Sequence, residues 1–117
     1  MFLMPSRFEP CGLNQLYSMR YATVPVAAAT GGLVDTVRDL DDDPQCATGI
    51  LFKPDDAREA VGALRRALEI FTENPELWRR LMVNGMKDDW SWDRSAGEYL
   101  EFFREKSPRP DQGRKAR

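Results

Sequence analysis

The stretch with the most chemical content is Ser6-Arg7-Phe8-Glu9-Pro10-Cys11-Gly12-Leu13-Asn14-Gln15, which joins a short apolar run to a helical pattern. A carboxylate, a tight turn containing Pro10 and Gly12, and then a helix start form an arrangement that can hold a phosphorylated sugar. The N–H groups of a helix's first turn are unpaired and carry partial positive charge, so Leu13, Asn14 and Gln15 are candidates to present their amides to a phosphate. Gly12 lets backbone approach a ligand with no side chain in the way. Glu9 can accept hydrogen bonds from sugar hydroxyls or stabilise positive charge developing at an anomeric carbon. Those residues leave a second reading open, in which Glu9 is solvated and Gly12 only turns the chain. Glycine-containing turns are weak signals by themselves.

The elements that must position this loop follow from periodicity. Met1 to Pro5 fits a short buried strand that starts without any lead-in, and Leu13 to Tyr21 carries Leu13, Leu16 and Tyr17 at the spacing of one helical face. Val24 to Ala29 is apolar and β-prone, with Pro25 placed to open the strand. Thr30-Gly31-Gly32 is a turn that either lines a cleft or simply redirects the chain. Leu33 to Val37 is a short helical segment, Asp39 to Gln45 an acidic loop, and Ile50-Leu51-Phe52 a third strand closed by Lys53-Pro54.

Beyond that the chain is helical. Asp56 with Glu59 resembles a capping box, and Ala57, Ala60, Val61, Leu64, Leu68 and Phe71 mark a core-facing stripe. Asn74-Pro75 reads as N-cap and first-turn proline, with Leu77, Trp78, Leu81 and Met82 as the next apolar face. Ser91 caps a last helix, whose Trp92, Ala96, Tyr99 and Phe103 fall on one side. Trp78, Trp90 and Trp92 read as core aromatics rather than sugar-stacking platforms.

Strands alternating with helices imply an α/β class with a parallel sheet. In open sheets of that kind ligands sit beyond the carboxyl ends of the strands, where Glu9 falls. Three strands are few for such a sheet, which needs cover on both faces, so the architecture is expected to be cut from a larger one.

Composition bounds the rest. At 117 residues there is room for one domain, and 42% hydrophobic with 31% charged residues is ordinary for a globular chain. A net charge of −2 gives no reason to expect a nucleic-acid partner. Positive charge gathers only at the end: residues 104–117 carry a net of +4 and read, with their prolines, as a disordered basic tail, leaving 1–103 as the folded unit. No apolar run reaches the roughly 20 residues of a membrane span, and the first residues do not read as a signal peptide. Cys11 and Cys46 do not make a disulfide framework and are expected to be free thiols in a reducing compartment. No metal-ligand spacing is present, and there is no histidine.

The run from Pro5 to Tyr17 resembles the signature of bacterial glycogen synthases and plant starch synthases. So does Met19-Arg20-Tyr21-Ala22-Thr23-Val24-Pro25-Val26 followed by Thr30-Gly31-Gly32-Leu33-Val34-Asp35-Thr36-Val37, and so does Gly85 to Asp93 with Ser95, Ala96 and Tyr99. The likeness runs in the family's order from Met1 to about Phe103. It implies the C-terminal part of a GT-B fold: part of a Rossmann-like domain with closing helices, facing a missing N-terminal domain across a cleft.

The implied activity is retaining transfer of glucose from ADP-glucose to the non-reducing end of an α-1,4-glucan, with no cofactor and no catalytic metal. By resemblance Glu9 is the catalytic glutamate that contacts the donor glucose. Cys11 and Gly12 hold the sugar hydroxyls through their amides, and Leu13, Asn14 and Gln15 form the helix start facing the diphosphate. Tyr17, Thr30, Gly31 and Gly32 are candidates for lining the cleft. Tyr17 stands where many related retaining transferases carry a second glutamate, which argues against a transferase using another nucleotide sugar. The expected location is cytoplasmic in a bacterium or the plastid stroma in a plant or alga.

The sequence departs from the family's pattern in two ways. Ala22 stands where the family has glycine, at a helix end expected to be left-handed, at a cost of about 1 kcal/mol. The donor loop of the N-terminal domain and the basic residues that neutralise the diphosphate are not in these residues. The alternative function is a non-catalytic homologue that keeps the fold as a binding or interaction module.

Overall fold

The computed structural model describes residues 1–107; the rest of the basic tail, 108–117, lies outside the described residues. Three parallel strands, β1 (Phe2–Met4), β2 (Pro25–Ala28) and β3 (Ile50–Phe52), lie in that order across one sheet. Leu3 pairs with Val26 and Ala27 with Leu51. Between them run α1 (Asn14–Arg20) and α2 (Gly32–Thr36), and after them α3 (Ala57–Glu73), α4 (Pro75–Lys87) and α5 (Trp92–Lys106). Because all three strands point the same way, their carboxyl ends and the loops that follow share one rim of the sheet.

Alternation along the strands divides the core in two. Val26, Ala28, Ile50 and Phe52 face one side and pack with Ala63, Ala67, Trp78 and Leu81 of α3 and α4. Met4, Ala27 and the partly buried Leu51 face the other side, where Leu33 of α2 packs on them. One face is therefore well covered and the other thinly. Pro25 is buried as the first residue of the central strand, where its missing N–H costs no ladder bond.

Both long-helix starts follow from local chemistry. Asp56 accepts from Arg58 N at 2.9 Å and Asn74 accepts from Leu77 N at 3.1 Å, each worth on the order of 1 kcal/mol. The Asp56 bond reaches the second helical residue, so it caps without the reciprocal Glu59 bond of a full box. Ser91 sits at the start of α5 but makes no capping bond to that helix. Its amide donates to Asp89 Oδ1, and the Ser91 hydroxyl and amide together hold the Asp89 carboxyl below its usual range.

The end of α1 is a Schellman turn. Thr23 N donates to Ser18 O and Ala22 N to Met19 O, which requires a left-handed residue at position 22. Ala22 is held there at φ 59°, as the family comparison of glycine with alanine implies. The acidic crossover loop is pinned from behind. Arg38 donates to both Asp88 oxygens (2.8 and 2.9 Å) and to Cys46 O, and Asn84 donates to the Gln45 and Ala47 carbonyls.

Several expectations shift. β1 is an edge strand, with Phe2 and Leu3 each 38% exposed, so only Met4 is buried as expected. On α1 the buried face is Gln15 and Met19, not Leu13, Leu16 and Tyr17; Met19 fits against Gly85 of α4, where a side chain would crowd it. On α3 the face toward the sheet is Ala60, Ala63, Leu64, Ala67 and Ile70, and Val61, Leu68 and Phe71 lie on an exposed stripe. The small alanines let the helix sit close to a thin sheet, and apolar periodicity alone does not choose between two adjoining stripes. Of the three tryptophans only Trp78 is core; Trp92 is 86% exposed. α5 has no buried residue, and it runs to Lys106, three residues into the stretch read as tail.

Candidate functional site

The loop from Pro5 to Leu13 leaves the carboxyl end of β1 and lies against the loop that leaves β2. The contact is backbone to backbone. Gly32 N donates to Glu9 O at 3.0 Å, and Thr30 Oγ1 reaches toward Arg7 O at 3.5 Å. A Cβ on Gly31 would collide with the Glu9 carbonyl, and one on Gly32 with the Cys11 backbone. Gly31 also sits at φ 48°, which side chains rarely adopt. Thr30-Gly31-Gly32 is thus the seat of the Glu9 loop as well as a turn, and that is why two glycines stand together there.

Glu9 is half-buried, and its carboxylate accepts from Ser6 Oγ at 3.3 Å. Nearby, Pro5, Arg7, Ala28, Phe52, Asp55 and Ala60 line a cleft of about 230 Å³ at the strand ends. Arg7 bridges to Asp55 at 3.1 Å across it. Both side chains are largely exposed, so the pair contributes little stability; surface pairs are typically worth about 0–1 kcal/mol. Asp55 is held at φ 60°, a left-handed position for a non-glycine residue in the turn before α3.

Cys11 and Cys46 are free and exposed. The Asp43 carboxylate beside Cys46 pushes its thiol above the usual value. Gly12 turns at φ 69°, and the amides of Gly12 and Leu13 donate to no group among the described residues. Asn14 is exposed at the first position of α1. That helix has seven residues, and the amides of Asn14, Gln15 and Leu16 in its first turn likewise donate to no group among the described residues.

The side chain of Gln15, second residue of α1, turns inward. It is fully buried, and Nε2 donates to Cys11 O and Gly12 O (3.1 Å each) and to Thr36 Oγ1 (3.0 Å). Tyr17, 59% exposed, is on the other side of α1. It lines a groove of about 550 Å³ with Leu13, Leu16, Arg20, Trp90 and Trp92. The structure therefore brings together Glu9, Cys11, Gly12, Thr30, Gly31 and Gly32, and places Tyr17 with Leu13 on the groove beside that loop. Sequence reasoning missed the Arg7–Asp55 pair and the inward turn of Gln15. A polar residue on a buried helix face is invisible to apolar periodicity; its one signal was the four-residue spacing from Gln15 to Met19. Among the described residues no group of His, Cys, Asp and Glu is placed to hold a metal ion, and no helix is long and apolar enough to cross a membrane.

A parallel α/β layer of Rossmann type, with a carboxylate loop seated on a Gly-Gly turn at the strand ends, is the architecture of a GT-B glycosyltransferase domain. Residues 1–86 match the family described as glycosyl transferases group 1, and the chain belongs to that family. It is 52% identical over 105 residues to the glycogen synthase of Desulforudis audaxviator, covering 90% of this chain and 21% of that one. It is 48% identical over 103 residues to the glycogen synthase of Thermotoga maritima, covering 88% and 21%. Among solved structures, the catalytic domain of starch synthase IV from Arabidopsis thaliana, bound to ADP and acarbose, superposes with a TM-score of 0.79 at 42% identity. That match covers 90% of this chain and 22% of that one. Sucrose-phosphate synthase from Thermosynechococcus elongatus superposes with a TM-score of 0.63 at 31% identity, over 88% of this chain and 24% of that one. The chain thus spans about a fifth of the length of the glycogen synthases it matches.

Proposed function

We propose that this chain forms the donor-sugar wall of a glucan synthase, which transfers glucose from ADP-glucose to the non-reducing end of an α-1,4-glucan. The observation that carries the reading is the clasp of the Glu9 loop on Thr30-Gly31-Gly32 at the strand ends, in a chain half identical to glycogen synthases. In this reading the Glu9 carboxylate faces the donor glucose and stabilises the positive charge that grows at the anomeric carbon as the diphosphate leaves. The amides of Cys11 and Gly12 bind the sugar hydroxyls. Leu13, Asn14 and Gln15 form the helix start nearest the diphosphate, and the free Leu13 amide is the donor best placed there.

Transfer also needs an acceptor site and groups that neutralise the diphosphate, held in one water-poor cleft. Positioning of that kind is worth roughly 7–11 kcal/mol of barrier in well-oriented systems. The reading assigns those groups to a second, N-terminal domain. The 117-residue chain alone is therefore expected to bind donor weakly and to transfer no glucose. Donor choice is tested by competition: ADP-glucose, UDP-glucose and a mannose nucleotide are titrated against the labelled chain by nuclear magnetic resonance. Shifts at Glu9 to Leu13 that favour ADP-glucose support the reading. Equal response to all three, or response elsewhere only, contradicts it.

A further inference from the structure

Gln15 is the polar side chain most deeply buried beside the strand-end loop, with 0% of its surface exposed. Its Nε2 carries two hydrogens and lies within 3.1 Å of three acceptors, the carbonyls of Cys11 and Gly12 and the hydroxyl of Thr36. Thr36 passes its own hydrogen to Gly32 O at 2.6 Å. One carboxamide therefore ties the start of α1, the Cys11–Gly12 turn and the last residue of α2 together. Gly32 in turn holds the Glu9 carbonyl, so the same network reaches the carboxylate loop.

The peptide planes give this network a direction. The carbonyl of Cys11 shares its peptide with the N–H of Gly12, and the carbonyl of Gly12 shares its peptide with the N–H of Leu13. Both peptides are trans, so carbonyl and N–H point opposite ways. Drawing both carbonyls in toward Gln15 turns both N–H groups out, and neither finds an acceptor among the described residues. The arrangement has a cost, because Gln15 Oε1 is buried without a donor. A methionine of similar shape would carry no orphaned acceptor, so the carboxamide stabilises only through what its NH2 group holds. Gly12 is required for the fit as well: a Cβ there would lie 2.6 Å from Gln15 Oε1.

We propose that Gln15 is a positioning residue for nucleotide-sugar binding, which aims the Gly12 and Leu13 amides at the ligand by holding the Cys11 and Gly12 carbonyls inward. This rests on the reading of the strand-end loop as a donor site. Its own content is that the side chain of Gln15 serves that site from behind, through the carbonyls it holds.

The test uses the full 117-residue chain labelled with ¹⁵N, with ADP-glucose as the probe, in wild type, Gln15→Met and Thr36→Val. In the free wild type the Gln15 side-chain NH2 should be protected from exchange; rapid exchange overturns the proposal whatever the ligand does. On titration, the Gly12 and Leu13 amides of the wild type should shift. In Gln15→Met those two shifts should be lost and affinity should fall on the order of tenfold, while thermal unfolding stays cooperative. Thr36→Val, which removes only the relay, should weaken binding about threefold, and it decides the matter if Gln15→Met does not fold. Wild type and variants binding alike, with the same two amides shifting, overturns the positioning role alone. A folded wild type that binds no ADP-glucose at these amides overturns the donor-site reading and the positioning role with it.

Discussion

The strand-end loop and the last helix are the two most sequence-distinctive parts of this chain, and they are built in opposite ways. At the strand ends, backbone lies on backbone. Glycine at 31 and 32 is the only residue type that admits the Glu9 and Cys11 carbonyls, and a buried carboxamide locks the turn between them. In α5, by contrast, Trp92, Tyr99, Phe102 and Phe103 are all exposed and no residue is buried. The loop's conformation is fixed by this chain, whereas the helix's apolar face is not used by it. A lost contact should therefore be felt at the loop and hardly at all in the helix.

Gly32→Ala should produce the largest effect. The new methyl group meets the Cys11 backbone, which cannot step aside without breaking the Gly32–Glu9 bond, so a destabilisation of about 3 kcal/mol or more is expected in urea unfolding. Trp92→Ser with Phe103→Ser is the counterpart in α5 and should leave stability within about 0.5 kcal/mol of wild type. If the double helix variant were the more damaging of the two, the contrast between the regions would be wrong.

A smaller effect sharpens the comparison at the back of the loop. Ala22 holds a left-handed turn that costs an alanine about 1–2 kcal/mol, part of which glycine returns as unfolded-chain entropy. Ala22→Gly should therefore stabilise the chain by about 0.5 kcal/mol, read as a higher unfolding midpoint. The smallest effect is electrostatic. The Arg66 guanidinium, bonded to both Asp41 oxygens, holds that carboxyl below its ordinary 3.8. A carboxyl lowered on folding stabilises the fold above its unfolded value, and the contribution disappears as pH falls through the folded value. The small stability gap between wild type and Asp41→Asn, present at neutral pH, should close as pH drops below 3.8.

How much of this was legible in the sequence depended on which physics set each feature. Pro25 opening β2, Asn74 capping α4 and Ala22 turning left-handed were all readable, because each is decided by a residue and its immediate neighbours. The Glu9-to-Gly12 stretch was readable as a strand-end turn for the same reason. Two kinds of feature were not. The buried face of α1 is set by Gly85, 66 residues after Met19, and a polar Gln15 on that face leaves no apolar trace. The stripe of α3 that faces the sheet was hidden because alanines at 60, 63 and 67 outcompete larger residues where the sheet is close. Trp92 read as core from its spacing, and spacing does not report whether a partner surface is present.

The central claim is that the Glu9 carboxylate at the end of β1 acts on the donor glucose. The most direct measurement is glucose transfer from ADP-glucose to glycogen by the Desulforudis audaxviator glycogen synthase in which this chain replaces the matching 105-residue segment, with and without Glu9→Gln. The substitution keeps size and removes charge, so turnover should fall about 10²–10³-fold while the KM for ADP-glucose moves by about threefold or less. Near-normal turnover in an otherwise active Glu9→Gln chimera would contradict the account.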